Sequence, residues 1–113
     1  MIYLANAFSV SMLRYPLIGE LHPLTIERIS AFDAGRILRE NDFHSVYGHA
    51  SSAWHLSRYL RVRVPVQRDP ILLTEQDMLI VARAAMSREY RTGLRKAPKW
   101  SFYRITVNPR DEV

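Results

Sequence analysis

The chain has 113 residues, 48% hydrophobic and 24% charged, with no cysteine and a formal net charge of +5. These values exclude a disulfide framework and a thiolate metal site, and no apolar run is long enough for a transmembrane helix. They fit one domain spanning residues 1–113, with a modest core and a cytoplasmic setting.

Residues 2–7 combine apolar, aromatic and small side chains and predict a short first strand. They carry no basic start of the kind a signal peptide needs. Ser9 is placed to cap a helical turn over residues 9–13, and Pro16 breaks regular structure after it. Leu24–Ile29 reads as a second strand. Ser30 then caps a helix over residues 31–41, with Asp33 in its first turn and Ala34, Ile37 and Leu38 on its apolar face. Residues 42–48 read as a loop ending at Gly48.

A second helix is predicted over residues 50–61, burying Ala53, Leu56 and Leu60, with Trp54 and Tyr59 flanking that stripe. Val64-Pro65-Val66 is extended because of its proline, and residues 70–73 suggest a short strand. Residues 77–84 form a nearly continuous apolar run, the mark of a central strand covered on both faces. Residues 87–99 are basic and loop-like, and Ser101–Val107 alternates as a closing strand. The order predicts an α/β domain with a mixed sheet of about five strands flanked by helices.

Arginine dominates the basic side chains, and its planar fork matches phosphate. This balance favours a phosphate-bearing partner, although a solvated basic surface explains it equally well. So short a chain has little room for a deep pocket, so a homodimer with its ligand cleft across the interface is expected. The histidines are His22, His44, His49 and His55, and their spacing matches no metal motif. Neither a metal nor another cofactor is expected, nor a membrane partner.

Gly48-His49-Ala50-Ser51-Ser52 at a helix start could serve metal-free RNA cleavage. A ribose 2′-hydroxyl can attack the adjacent 3′-phosphate if a protein orients it and protonates the departing 5′-oxygen. Histidine can give that proton at neutral pH, while helix amides, Ser51 and Ser52 hold the phosphate. The competing reading of His49 is a helix-start residue bonded to its loop. His44 is a second acid–base candidate or an exposed loop residue, His55 faces solvent or packs under Arg58, and His22 decorates a turn. Asn6, Ser9 and Ser11 come directly after a strand, where polar groups often face a ligand crevice. Arg68 and Arg83 are the leading phosphate-binding arginines. Arg83 interrupts an apolar strand and needs a reason or an exit to the sheet edge.

Tyr3-Leu4-Ala5-Asn6-Ala7-Phe8-Ser9 followed by Met12-Leu13, together with Gly48-His49, Arg68 before Pro70-Ile71, and Asp77-x-Leu79-x-Val81, resembles the viral type III anti-CRISPR ring nucleases. The resemblance spans almost the whole chain. It implies a homodimer that binds cyclic tetra-adenylate across its interface and cleaves it without metal to linear di-adenylate with 2′,3′-cyclic phosphate ends. It implies His49 as general acid, Asn6, Ser9, Ser11 and Arg68 around the ligand, and a host-cell cytoplasmic setting for a viral protein. The chain departs from the pattern at Arg83, where many relatives carry glutamine. Ser87–Gly93 matches their next turn loosely, with Arg88 the nearest equivalent of their arginine and Glu89 the candidate acidic partner. Two other readings stay open: a non-catalytic sponge for cyclic oligoadenylate, and a small basic protein that binds duplex nucleic acid through its phosphates.

Overall fold

The apolar run Ile2–Ala5 forms β1, and the computed structural model gives it two parallel neighbours. The structure describes residues 1–13, 23–47, 50–85 and 99–109. Among these, the elements after β1 are a 3₁₀ turn at Val10–Met12, β2 at Leu24–Ile29 and helix α1 at Ala31–Glu40. They are followed by β3 at Phe43–Ser45, helix α2 at Ala50–Leu60, β4 at Met78–Ala85 and β5 at Lys99–Val107.

The strands make one mixed sheet in the order β2-β5-β4-β1-β3. β1 runs parallel to β3 and β4, while β5 lies antiparallel between β2 and β4. Four strands therefore share one direction, and β5 alone opposes them. This confirms an α/β domain with a five-stranded mixed sheet and two helices.

Alternation along the strands sorts their side chains into two clusters. Leu4, Ile80, Ala82 and Phe102 point to the side packed by Leu38 of α1 and Ala53, Leu56 and Leu60 of α2. Ala5, Leu79, Val81 and Ile105 point to the other side, against Ile71 and Leu73, with Phe8 and Met12 at the margin. Residues 79–82 are all buried, as a strand covered on both faces requires. The chain between α2 and β4 passes from one face to the other, since Val64 belongs to the first cluster and Ile71 to the second.

Caps set the element ends. Ser9 Oγ accepts from Ser11 N–H, and Ser30 Oγ accepts from Asp33 N–H at 3.0 Å. At the far end of α2, Arg61 adopts a left-handed conformation (φ 55°) and Val62 N–H reaches Ser57 O at 3.2 Å. That is a Schellman turn with arginine in the position glycine prefers. Arg39 Nη1 donates to Leu60 O at 2.7 Å and ties α1 to this helix end.

Several expected boundaries move. Residues 42–48 are not all loop, because Phe43–Ser45 pairs with β1. Three residues show too little periodicity to stand out from a loop. Residues 70–73 form no strand; Leu73 makes one isolated bridge, to Leu13. Asp69-Pro70 lies beside it, and proline offers no N–H to a ladder. β1 ends at Ala5 rather than residue 7, as Asn6 and Ala7 bend away. Pro16, His22, Gly48, His49, Arg88, Glu89 and the basic stretch 87–98 lie outside the described residues.

Candidate functional site

The shared strand direction brings four carboxyl ends to one edge of the sheet. α1 starts there directly after β2, and α2 starts five residues after β3. Helix starts present unpaired N–H groups and partial positive charge, so this edge suits an anion. Outside the carboxyl ends of parallel strands is also where α/β sheets generally hold ligands.

The edge is stepped. β1 pairs with β4 only as far as Val81, while β4 and β5 stay paired out to Ala85 and Lys99. Four extra residues project about 13 Å at the usual strand rise. Arg83 stands on this projection opposite Ser101 and is exposed. A charge in an otherwise apolar central strand is thereby explained: its neighbour β1 has already ended.

At the foot of the step, β1 bends into Asn6, which is exposed. Ser9 and Ser11 come next, both exposed, with their hydroxyls 3.0 Å apart. Ser51 and Ser52 occupy the first turn of α2, the former exposed and the latter half-buried. Gln67 N–H donates to Tyr47 O at 3.1 Å, which brings the exposed Arg68 to the chain leading into α2. The polar and basic candidates thus cluster by topology around the ends of β1, β3 and β4. His49 immediately precedes Ala50, the first residue of α2, in the sequence.

Tyr47 fixes the entry to this helix. Its ring is 2% exposed, and its hydroxyl donates to Ala82 O. Burial pushes the phenol well above its ordinary range. Sequence reasoning gave Tyr47 no role of its own, because a tyrosine in a short polar stretch carries no periodic signal.

The other histidines have different surroundings. His44 lies on β3, with Nε2 3.5 Å from Asp69 Oδ2 and its ring edge-on to Tyr3. His55 is half-buried with its ring 4.9 Å from that of Trp54. The Arg58 guanidinium lies 4.9 Å from the centroid of the Trp54 ring. Asp77, which opens β4, accepts from Thr74 N–H at 2.8 Å and Thr74 Oγ1–H at 2.9 Å, and pairs with the Met1 ammonium at 3.2 Å. Partial burial pushes its carboxyl up, but those partners outweigh burial and hold it below the usual carboxylate range. Among the described residues, no three His, Asp or Glu side chains converge as a metal site would need, and no helix is long and apolar enough to cross a membrane.

The fold has a solved counterpart. B116 of Sulfolobus turreted icosahedral virus superposes with a TM-score of 0.69 at 20% identity, covering 93% of this chain and 97% of that one. At that identity the likeness speaks for the fold. A search of curated proteins finds no match. The STIV B116-like family model matches residues 2–90, from β1 through the central strand β4, and the chain therefore belongs to the STIV B116-like family.

Proposed function

We propose that the chain is a metal-independent ring nuclease that cleaves cyclic tetra-adenylate to linear di-adenylate with 2′,3′-cyclic phosphate ends, switching off type III CRISPR signalling. The observation that carries the reading is the stepped carboxyl edge, where Asn6, Ser9, Ser11, Arg68 and Arg83 stand by the ends of β1, β3 and β4 and Ser51 and Ser52 open α2. The resemblance of the Tyr3–Ser9 and Gly48-His49 stretches to ring nucleases supplies the substrate.

In this mechanism the ribose 2′-oxygen attacks the adjacent phosphorus and the bond to the 5′-oxygen breaks. The 2′-hydroxyl proton leaves to solvent, and His49 protonates the departing 5′-oxygen. Arg68, Arg83 and the first amides of α2 stabilise the charge on the phosphate as it builds. Two copies of the chain related by a two-fold axis bring two His49 side chains to opposite sides of the ring. Two cuts on opposite sides give two identical linear dinucleotides, so the homodimer accounts for the product length.

The test is incubation with cyclic tri-, tetra- and hexa-adenylate in chelator, with products weighed by mass spectrometry. The wild type should linearise the four-membered ring, and His49→Ala should slow it by about 100-fold or more, the usual contribution of a general acid. Wild type that binds the ring and leaves it whole for hours would make the protein a sponge. Tight binding to long duplex with none to the ring would make it a duplex-binding protein.

A further inference from the structure

A second feature lies along α2, away from its first turn. A shallow, open groove of about 570 Å³ runs between this helix and residues 61–66. Its lining is apolar at Ala53, Val62 and Val64, and Val66 remains 49% exposed. Trp54 lines it too and is 55% exposed, unusual for so large an apolar ring.

The charge in the groove has one sign. Arg58, Arg61 and Arg63 line it, and no acidic residue is among the described lining. The Arg58 guanidinium carbon already lies over the Trp54 ring, 4.9 Å from its centroid. Arg61 stands at a strained position. It holds the left-handed conformation (φ 55°) that a glycine would adopt without strain. The Schellman turn asks only for that backbone conformation, which glycine supplies, and makes no use of the Arg61 side chain.

We propose that this groove is a second ligand site, which holds single-stranded nucleic acid with one base against Trp54 and its neighbouring phosphates among Arg58, Arg61 and Arg63. A flat aromatic platform beside a row of arginines is the arrangement that binds unpaired bases and tracks their backbone. A second copy of this chain is a poorer occupant, since a two-fold contact here would set arginine against arginine. An acidic peptide satisfies the arginines but brings no planar ring to the indole. Duplex nucleic acid keeps its bases stacked inside the helix and offers Trp54 nothing to cover.

The proposal does not rest on ring cleavage, and its test reads binding alone. A fluorescently labelled single-stranded oligoadenylate of eight nucleotides is titrated into the full chain and followed by anisotropy at several salt concentrations. Trp54→Ala should weaken binding about tenfold, the effect of losing one stacked base, while Trp54→Phe keeps most of the affinity. Arg61→Gly should weaken binding and lower the slope of log affinity against log salt by about 0.7, the share of one phosphate contact on a single strand. The same variant should melt at the same temperature as wild type or higher, because glycine relieves the strained backbone. Unchanged binding by Arg61→Gly, or by a folded Trp54→Ala, overturns the proposal. So does equal competition from a duplex of the same charge, or conversion of a dimer to a monomer by Trp54→Ala in light scattering.

Discussion

Replacing Tyr47 with phenylalanine removes one oxygen and almost no volume. The effect should still be large, because of what that oxygen does. β1 stops pairing with β4 at Val81, and the next carbonyl along β4, that of Ala82, receives the Tyr47 hydroxyl instead. Both residues are buried, at 2% and 0% exposure. A buried carbonyl left without its donor costs about 1–3 kcal/mol. Urea unfolding at pH 7 should show that loss in the midpoint with an unchanged slope. A second signature separates this bond from simple packing. The folded protein holds the phenol proton well above its ordinary range, whereas the unfolded chain releases it near pH 10. The folded state then binds more protons than the unfolded state, so stability falls as pH rises past that point. The slope is about 1.4 kcal/mol per pH unit, continuing until the folded phenol itself titrates. Tyr47→Phe should lose this component of the alkaline slope. If the variant loses less than about 0.5 kcal/mol at neutral pH and keeps the wild-type alkaline slope, the hydroxyl is not satisfying Ala82 and the reasoning fails.

Other perturbations probe the remaining parts of the frame. Asp77→Asn should destabilise by about 1 kcal/mol or more through its lost charge-assisted bonds to Thr74 and Met1. Because its carboxyl is held below the usual range, its contribution is complete above pH about 4 and fades as pH falls through the folded value. Acid unfolding of wild type and variant should therefore converge at low pH. Leu56→Ala empties a fully buried position between α2 and the sheet and should cost about 2–5 kcal/mol by urea unfolding. Ser30→Ala removes the cap of α1 and should cost about 1 kcal/mol, read as a lower melting temperature. If His49 donates the proton, single-turnover ring cleavage should slow as pH rises through its titration, whereas a flat rate from pH 5 to 9 would remove it from that role.

The helices and most strands are legible in the sequence because their signals are local. Ser30 with Asp33 three residues on, and the Ala53-Leu56-Leu60 stripe, each state a cap or a face within a few residues. The run 77–84 states a buried strand by continuity, and residues 79–82 are buried. Illegible features depend on partners distant in sequence. Phe43–Ser45 becomes a strand only because β1 lies beside it. Residues 70–73 look like a strand but serve to cover one, with Ile71 and Leu73 packed over Leu79 and Val81. Tyr47 has a role only because β1 stops short of Ala82. That Asn6, Ser9 and Ser11 follow the first strand is legible in the sequence, but that Arg83 belongs to the same edge depends on the strand order. The Trp54–Arg58 contact and its groove were not read from the sequence, because residues 61–66 had to fold back along α2 to form the groove.

The unequal lengths of β1 and β4 connect these features. Had β1 run as far as β4, it would have paired Ala82 through Ala85 and closed the edge flush. Tyr47 would then have had no carbonyl to bind, and Arg83 would have lain beside a neighbouring strand. Ending β1 at Ala5 exposes the step and turns Asn6, Ser9 and Ser11 across its foot. It also leaves a gap that the Tyr47 hydroxyl fills, anchoring the residue two before His49 to the central strand. Stability and site geometry therefore meet in the same hydrogen bond. Loosening it should disturb the start of α2 as well as the core. If the proposed ring cleavage holds, Tyr47→Phe should lower it even at a temperature where the variant is fully folded, whereas Leu56→Ala, buried farther along α2, should alter stability and leave that rate near the wild-type value.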